Sequence, residues 1–305
     1  MRFSRPWRDG LLAPGLEGRC EKIHPPVKVL VRNLALLAVT AALAQPENRS
    51  TARSIDRPAP ETNPFSVGER LLYHIEWNPP WYLFFLPAME AGEAELRLAG
   101  ETAYEGSKAW KIVFEARSSG ALVKLAGVKI EDHFEFITDP HTLCTYAVSK
   151  KVREGKRKRD IDIVYYRASN RLHIRELDVA VSPAKVKRDE FIKEIPGCVR
   201  DLFSALYNAR RNEEFNLGSR HRTLVGDNEK LKEIEVRVEK SEIVETPAGK
   251  YETRRLDTVA LLGGLFKDGG QFKIWVTSDP RRLPVQFEAK VNLGKVSGKL
   301  KAFEP

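Results

Sequence analysis

From Phe65 onward the chain alternates apolar and polar residues with a period of two, and it does so in fourteen separate runs. The clearest are Arg70–Trp77 (RLLYHIEW), Glu93–Leu98, Trp110–Ala116, Lys129–Ile137 and Cys144–Val152. Asp160–Tyr166, Arg171–Leu177, Lys185–Ile192, Arg222–Val225 and Lys232–Val238 follow, then Tyr251–Val259, Gln271–Val276, Val285–Val291 and Val296–Phe303. Successive side chains of a strand point to opposite faces, so each run is a half-buried β-strand. Turn residues such as Glu105-Gly106, Glu154-Gly155, Ser169-Asn170 and Pro247-Ala248-Gly249 punctuate them. Many short strands joined by tight turns predict a mainly β protein: a curved antiparallel meander, whether barrel, half-barrel or sandwich.

One segment breaks the pattern. Val199–Arg211 (VRDLFSALYNARR) carries Val199, Leu202, Phe203, Leu206 and Ala209 at helical spacing, which predicts one amphipathic helix packed on the sheet. Asp201 in its first turn and Arg210-Arg211 in its last complement the helix dipole. Arg210 falls within the apolar arc, where it either snorkels to water or meets a buried carboxylate. Arg200, Asp201, Ser204, Asn208 and Arg211 share the opposite, polar face, with Ser204 read as a solvated helix residue. A weaker apolar run, Gly120–Val128, is a candidate second helix.

Ahead of the strands, Lys28 and Arg32 precede an eleven-residue run, Leu34–Ala44, apolar but for Thr40 and ending Ala42-Leu43-Ala44. A basic region, a short apolar run and a small-x-small site are the pattern of a secretory signal peptide, cleaved near Ala44/Gln45. The run is too short to span a bilayer, which takes roughly 20 apolar residues. Residues 1–26 lengthen the leader unusually; a start downstream of Met1 accounts for them best. The expected organisation is leader over 1–44, Pro-rich tether over 45–63 and one β domain over 64–305, exported and periplasmic. Residues 1–44 hold seven Lys/Arg and three Asp/Glu, so the remainder has 44 basic and 39 acidic residues, net +5 where the whole chain has +9. With export, that small excess argues against a nucleic-acid partner. Cys144 and Cys198 outlast the leader, and either a disulfide or two separate buried thiols fits the sequence.

The opening Asn63–Tyr73 (NPFSVGERLLY), the motif Asp201–Arg210 (DLFSALYNAR) and the tail from Ser241 resemble the bacterial domain-of-unknown-function family numbered 3108. In the tail the matching pieces are Glu245–Gly249 (ETPAG), Trp275, Asp279 and Arg282–Val285 (RLPV), with Trp275 assigned a structural role beside Asp201 and Arg210. The resemblance implies an exported β-rich protein without an assigned activity. The architecture is also similar to half-barrel carriers that shuttle lipoproteins, a likeness of fold alone.

Catalytic patterns are absent from the sequence: G-x-S-x-G, H-E-x-x-H, C-x-x-C and G-x-x-x-x-G-K-[ST] do not occur. The histidines lack metal-ligand spacing, and Asp132-His133 face opposite sides of a strand. No catalytic residue, metal or cofactor is therefore expected. Two features suggest binding. Trp77, Trp81, Tyr82, Phe84 and Phe85 crowd a hairpin loop between prolines, forming either an exposed patch for a lipid, amphiphile or membrane surface or an inward plug. Lys150, Lys151, Arg153, Lys156, Arg157, Lys158 and Arg159 form a basic run, either a solvated edge or a contact for anionic headgroups. The leading expectation is a non-enzymatic binder of an apolar or amphiphilic ligand in the sheet's concavity. A scaffold docking a partner through the aromatic loop comes second, and an uncharacterised hydrolase third. N-terminal sequencing of the exported protein is expected to begin near Gln45; an intact chain retaining residues 27–44 in the cytosol contradicts the leader assignment.

Overall fold

The computed structural model describes residues 63–83, 85–120, 123, 129–227, 230–259, 271–291 and 294–305. The leader, the tether up to residue 62, Phe84 and most of the run expected to form a second helix lie outside the described residues. Each alternating run is a strand. The first half of the sheet is β1 (Arg70–Asn78), β2 (Met89–Tyr104), β3 (Ser107–Ser118), β4 (Glu131–Thr138), β5 (Thr145–Glu154), β6 (Arg157–Tyr166), β7 (Arg171–Asp178) and β8 (Lys185–Lys193). The helix α1 (Leu202–Asn212) follows. The second half is β9 (Arg220–Asp227), β10 (Lys230–Thr246), β11 (Gly249–Val259), β12 (Gln271–Thr277), β13 (Pro284–Lys290) and β14 (Lys295–Glu304). Several strands outrun their sequence signal. β2 extends over 16 residues because its register shifts at Gly100, where the alternation lapses.

All fourteen strands form one antiparallel sheet in the order β8-β7-β6-β5-β4-β3-β2-β1-β14-β13-β12-β11-β10-β9. Each strand pairs with its neighbour in sequence, and β1 pairs with β14 from Arg70↔Glu304 to Asn78↔Lys295. The two ends of the domain therefore meet mid-sheet, and β8 and β9 are the edge strands, β9 bridged at Val225 by Arg200. The sheet curls without closing. Alternate residues of successive strands, among them Leu71, Leu96, Ile112, Phe136, Ile163, Leu172, Val285 and Leu300, converge on one buried core.

The helix lies against this core and ties the two halves together. Phe203 stacks on Phe114 of β3 at 4.8 Å and meets Phe136 of β4 edge-on at 5.3 Å. Tyr207 packs on Phe65 at 4.7 Å. The backbone just before the helix crosses between the halves: Thr145 donates its N–H to the Val199 carbonyl, and Gly226 of β9 donates to the Arg200 carbonyl. Gly226 has no substitute here, since a Cβ would lie 2.7 Å from the Tyr165 hydroxyl of β6 and 2.8 Å from Val199.

Two details of the helix differ from the sequence reading, and a third decides between its alternatives for Arg210. It begins at Leu202, because Asp201 is its N-cap and not a first-turn residue; the carboxylate accepts from the N–H groups of Phe203 (2.8 Å) and Ser204 (3.0 Å). On the polar face, Asp201, Ser204 and Arg211 are buried, while Arg200 and Asn208 are partly exposed. The Ser204 hydroxyl also donates to Asp201, while Arg211 donates to the carbonyls of Pro140 and His141. The β4–β5 loop covers that face, and helical periodicity alone cannot report a second packing partner. Finally, Arg210 does not snorkel. It is fully buried and paired end-on with Glu69 at 2.5 and 2.8 Å, with further bonds to the Arg281 carbonyl. Burial opposes its charge, yet the hydrogen bonds and charge of Glu69 raise the arginine pKa.

Cys144 and Cys198 are joined in a disulfide with Cα atoms 5.2 Å apart, fixing the helix lead-in to the start of β5. In the chain-entropy account, a cross-link spanning 54 residues contributes about 4 kcal/mol. Arg210→Met is expected to cost about 3–5 kcal/mol in urea unfolding, because it strands the buried Glu69 carboxylate. Glu69→Leu combined with Arg210→Met should cost well below the two single losses added together. Additive single losses would contradict a coupled pair.

Candidate functional site

An up-and-down meander sends alternate connections to opposite ends of the sheet. One end carries the β2–β3, β4–β5, β6–β7, β10–β11 and β12–β13 turns, the helix and the disulfide. There Arg282 donates to the Arg210 carbonyl and the Ala248 N–H to the Leu300 carbonyl of β14. Asp139 takes bonds from the Thr142 N–H, the Tyr146 hydroxyl and the His141 N–H, which outweigh its burial and hold its carboxyl down at about 2. This end is locked. At the other end emerge the β1–β2 loop, the β5–β6 hairpin, the β7–β8 connection and the β13–β14 hairpin. Both features that the sequence singled out are there. The β1–β2 loop and the β5–β6 hairpin are separated by four strand spacings, about 19 Å along the sheet.

The aromatic loop faces water. Trp81 is 86% exposed, Phe85 67% and Tyr82 52%, with Trp81 and Tyr82 edge-to-face at 5.9 Å. The plug reading is overturned for these three residues. Trp77 differs: it belongs to β1, points inward and is buried. The buried core is built from Phe65 and Tyr207, with Phe203 packed against it, and from the strand residues around them. The loop is also braced. Leu83 donates its N–H to the Pro80 carbonyl and Leu86 to the Leu83 carbonyl. Gly294 of the β13–β14 hairpin, at φ +86°, lies so close that a Cβ would sit 2.2 Å from the Asn78 carbonyl. Beside the loop foot, Glu76, Asn78, Pro79, Gln286, Glu288 and Lys295 are among the residues lining a polar groove of about 340 Å³.

The basic run is not one patch. Strand alternation divides it: Lys150, Arg157 and Arg159 share the face of buried Val148, Val152 and Ile161, whereas Lys151, Arg153 and Lys158 point outward. Much of the charge is matched by acids that the linear reading passed over. Arg153 pairs with Asp160 at 2.6 Å, Arg157 with Glu154 at 2.8 Å, and Arg159 with Asp178 at 2.5 Å and Glu176 at 3.2 Å. Lys150 lies over the Phe134 ring at 5.9 Å. Lys151, Lys156 and Lys158 are exposed, and no carboxylate among the described residues pairs with them. The acids across the strands were the signal available in the sequence.

Asp132 and His133 do diverge. Asp132 accepts the Arg153 N–H at 2.7 Å, and burial pushes its carboxyl up to about 6 against that bond. His133 sits on the opposite face between Glu115 (2.8 Å) and Glu135 (3.2 Å). Trp275 donates its indole N–H to Glu242 at 2.7 Å, clamping β12 to β10. None of these residues is brought to the aromatic loop.

A β-barrel-like protein of the domain of unknown function DUF1849 from Brucella abortus has a similar fold, at TM-score 0.51 and 9% identity over 78% of this chain and 97% of that one. A protein with a YmcC-like fold from Bacteroides fragilis aligns at TM-score 0.31 and 13% identity, over 79% and 97%. No curated protein matches the sequence. The family model described as protein of unknown function (DUF3108) matches residues 72–301, which spans the sheet from β1 to β14 with the helix between, and the chain belongs to that family.

Proposed function

We propose that this chain is an exported cell-envelope protein that acts by binding, and that it engages an apolar or amphiphilic partner through the β1–β2 loop. The observation that carries this reading is the exposure of Trp81, Tyr82 and Phe85 on a braced loop. Burying one large apolar side chain is worth roughly 1.5–3 kcal/mol, which the folded chain alone forgoes at each of these positions. Clustered apolar side chains in water mark contact sites. Two prolines on one side and one on the other fix the loop in advance, so little ordering entropy opposes binding. The leader pattern and the Cys144–Cys198 disulfide both suit an oxidising compartment outside the cytoplasm.

The charge on the inner face turns the reading away from a ligand carried in the concavity and toward the rim. On the inner face near the loop end, β6 to β8 present ion pairs, Arg159 with Glu176 and Asp178 and Lys187 with Asp178 at 3.7 Å. An apolar guest gains nothing from such a wall.

Trp81 offers a direct probe. Trp77, Trp110 and Trp275 are all below 10% exposed, so solvent-sensitive emission in the domain comes from Trp81. Lysophosphatidylcholine micelles are expected to blue-shift that emission and shield it from acrylamide. Trp81→Ser with Phe85→Ser should abolish micelle binding, followed by light scattering, and change unfolding free energy by under about 0.5 kcal/mol. An unshifted, fully quenchable Trp81, with a double variant destabilised by several kcal/mol, sinks the proposal.

A further inference from the structure

We infer that the end of the sheet bearing the β1–β2 loop docks end-on to an anionic phospholipid bilayer. This rests on the aromatic loop being a binding element and adds what it binds and in which orientation.

The apolar groups at this end are not confined to one loop. The β7–β8 connection, Val179–Ala184, is VAVSPA, and its Val181 is 51% exposed. The β1–β2 connection over residues 79–88 reads PPWYLFFLPA and holds no charge. Connections between strands normally carry the polar turn residues that water favours. Here two uncharged, apolar connections emerge at one end of a meander, six strand spacings or about 29 Å apart along the sheet. A pocket for a single small ligand does not need contacts so widely separated. A surface does. Trp and Tyr are the side chains that prefer the boundary between headgroups and acyl chains.

Charge at the same end selects the surface. Lys156 at the β5–β6 tip, Lys158 beside it, Lys185 at the start of β8 and Lys290 at the end of β13 are exposed, and no carboxylate among the described residues pairs with them. The acids there are largely engaged: Glu131 with Lys129, Glu154 with Arg157, Asp178 with Arg159, Glu288 with Lys295. Among the described residues, Glu90, which accepts from the Ser119 hydroxyl, is an exposed acid there without a cationic partner. The locked end is near balance, with Glu105, Glu194, Glu214 and Glu245 exposed beside Lys108, Lys193 and Lys250. Among the described residues, net positive charge therefore accompanies the apolar connections, and anionic headgroups attract it at short range. A neutral amphiphile gives these lysines nothing to meet.

The test uses the exported domain and vesicles of phosphatidylcholine alone or mixed with an equal part of phosphatidylglycerol. Co-sedimentation is expected to favour the mixed vesicles strongly, with Trp81 emission blue-shifted and binding weakened by salt. Lys156→Gln, Lys158→Gln, Lys185→Gln and Lys290→Gln should each reduce that binding roughly fivefold. Lys108→Gln and Lys250→Gln at the locked end should leave it unchanged. A dye on Val181→Cys should enter an apolar environment together with Trp81. Micelle binding without vesicle binding, or equal affinity for both vesicles, overturns the bilayer inference and leaves the loop's binding role standing. A Trp81 that responds to neither micelles nor vesicles overturns both. Equal losses from lysine substitutions at the two ends overturn the end-on geometry.

Discussion

The ion pair between Glu69 and Arg210 holds the architecture together. In a fourteen-stranded sheet whose edge strands β8 and β9 do not pair with each other, curvature must be fixed from within. The helix does this, and its last turn is anchored by a guanidinium with no exposed surface, bound through both nitrogens to a carboxylate leading into β1. The same guanidinium reaches the Arg281 carbonyl between β12 and β13, and it lies over the rings of Phe65 and Tyr207. Three distant stretches of chain thus meet at one charge. A buried pair is weak evidence for net stability, since desolvation offsets much of the attraction. Its role is geometric: few other positions satisfy both ions.

Around that pair the locked end accumulates constraints of different kinds. The disulfide, the Asp201 cap shared with Thr145, the Arg211 bonds to the β4–β5 loop and the Asp139 turn all lie there. Restraint at one end frees the other. The remaining connections need only join strands, and they can carry residues chosen for contact with something outside the chain. The aromatic loop is held by prolines and by the close approach of Gly294, while Trp81, Tyr82 and Phe85 stay exposed. Rigid presentation of exposed apolar groups is costly for solubility and useful for docking.

Much of the fold was legible because a strand writes its own period. Leu71, Tyr73 and Trp77 announce the inward face of β1 without knowledge of its partners, and so do Leu96 and Leu98 in β2. What could not be read depends on residues far apart in sequence. Glu69 and Arg210 are 141 positions apart, and nothing local to VRDLFSALYNARR says that a carboxylate waits there. The burial of Ser204 and Arg211 follows from a loop sixty or more residues upstream. The basic run misled in another way: as a string it is a cluster, but folded with alternation it is two faces, with three arginines paired to acids. The exposure of Trp81, Tyr82 and Phe85 depends on how distant strands and the helix pack, which the sequence does not encode locally.

The central claim is a division of labour between a locked end and a docking end. Hydrogen exchange by mass spectrometry, with and without phosphatidylglycerol-containing vesicles, tests it most directly. Added protection is predicted at the β1–β2 loop, the β5–β6 tip and the β7–β8 connection, with the helix and the Asp139 and Asp279 turns unchanged. Protection confined to the inner face of the sheet or to the locked end would contradict the account, as would an exchange pattern that vesicles leave untouched.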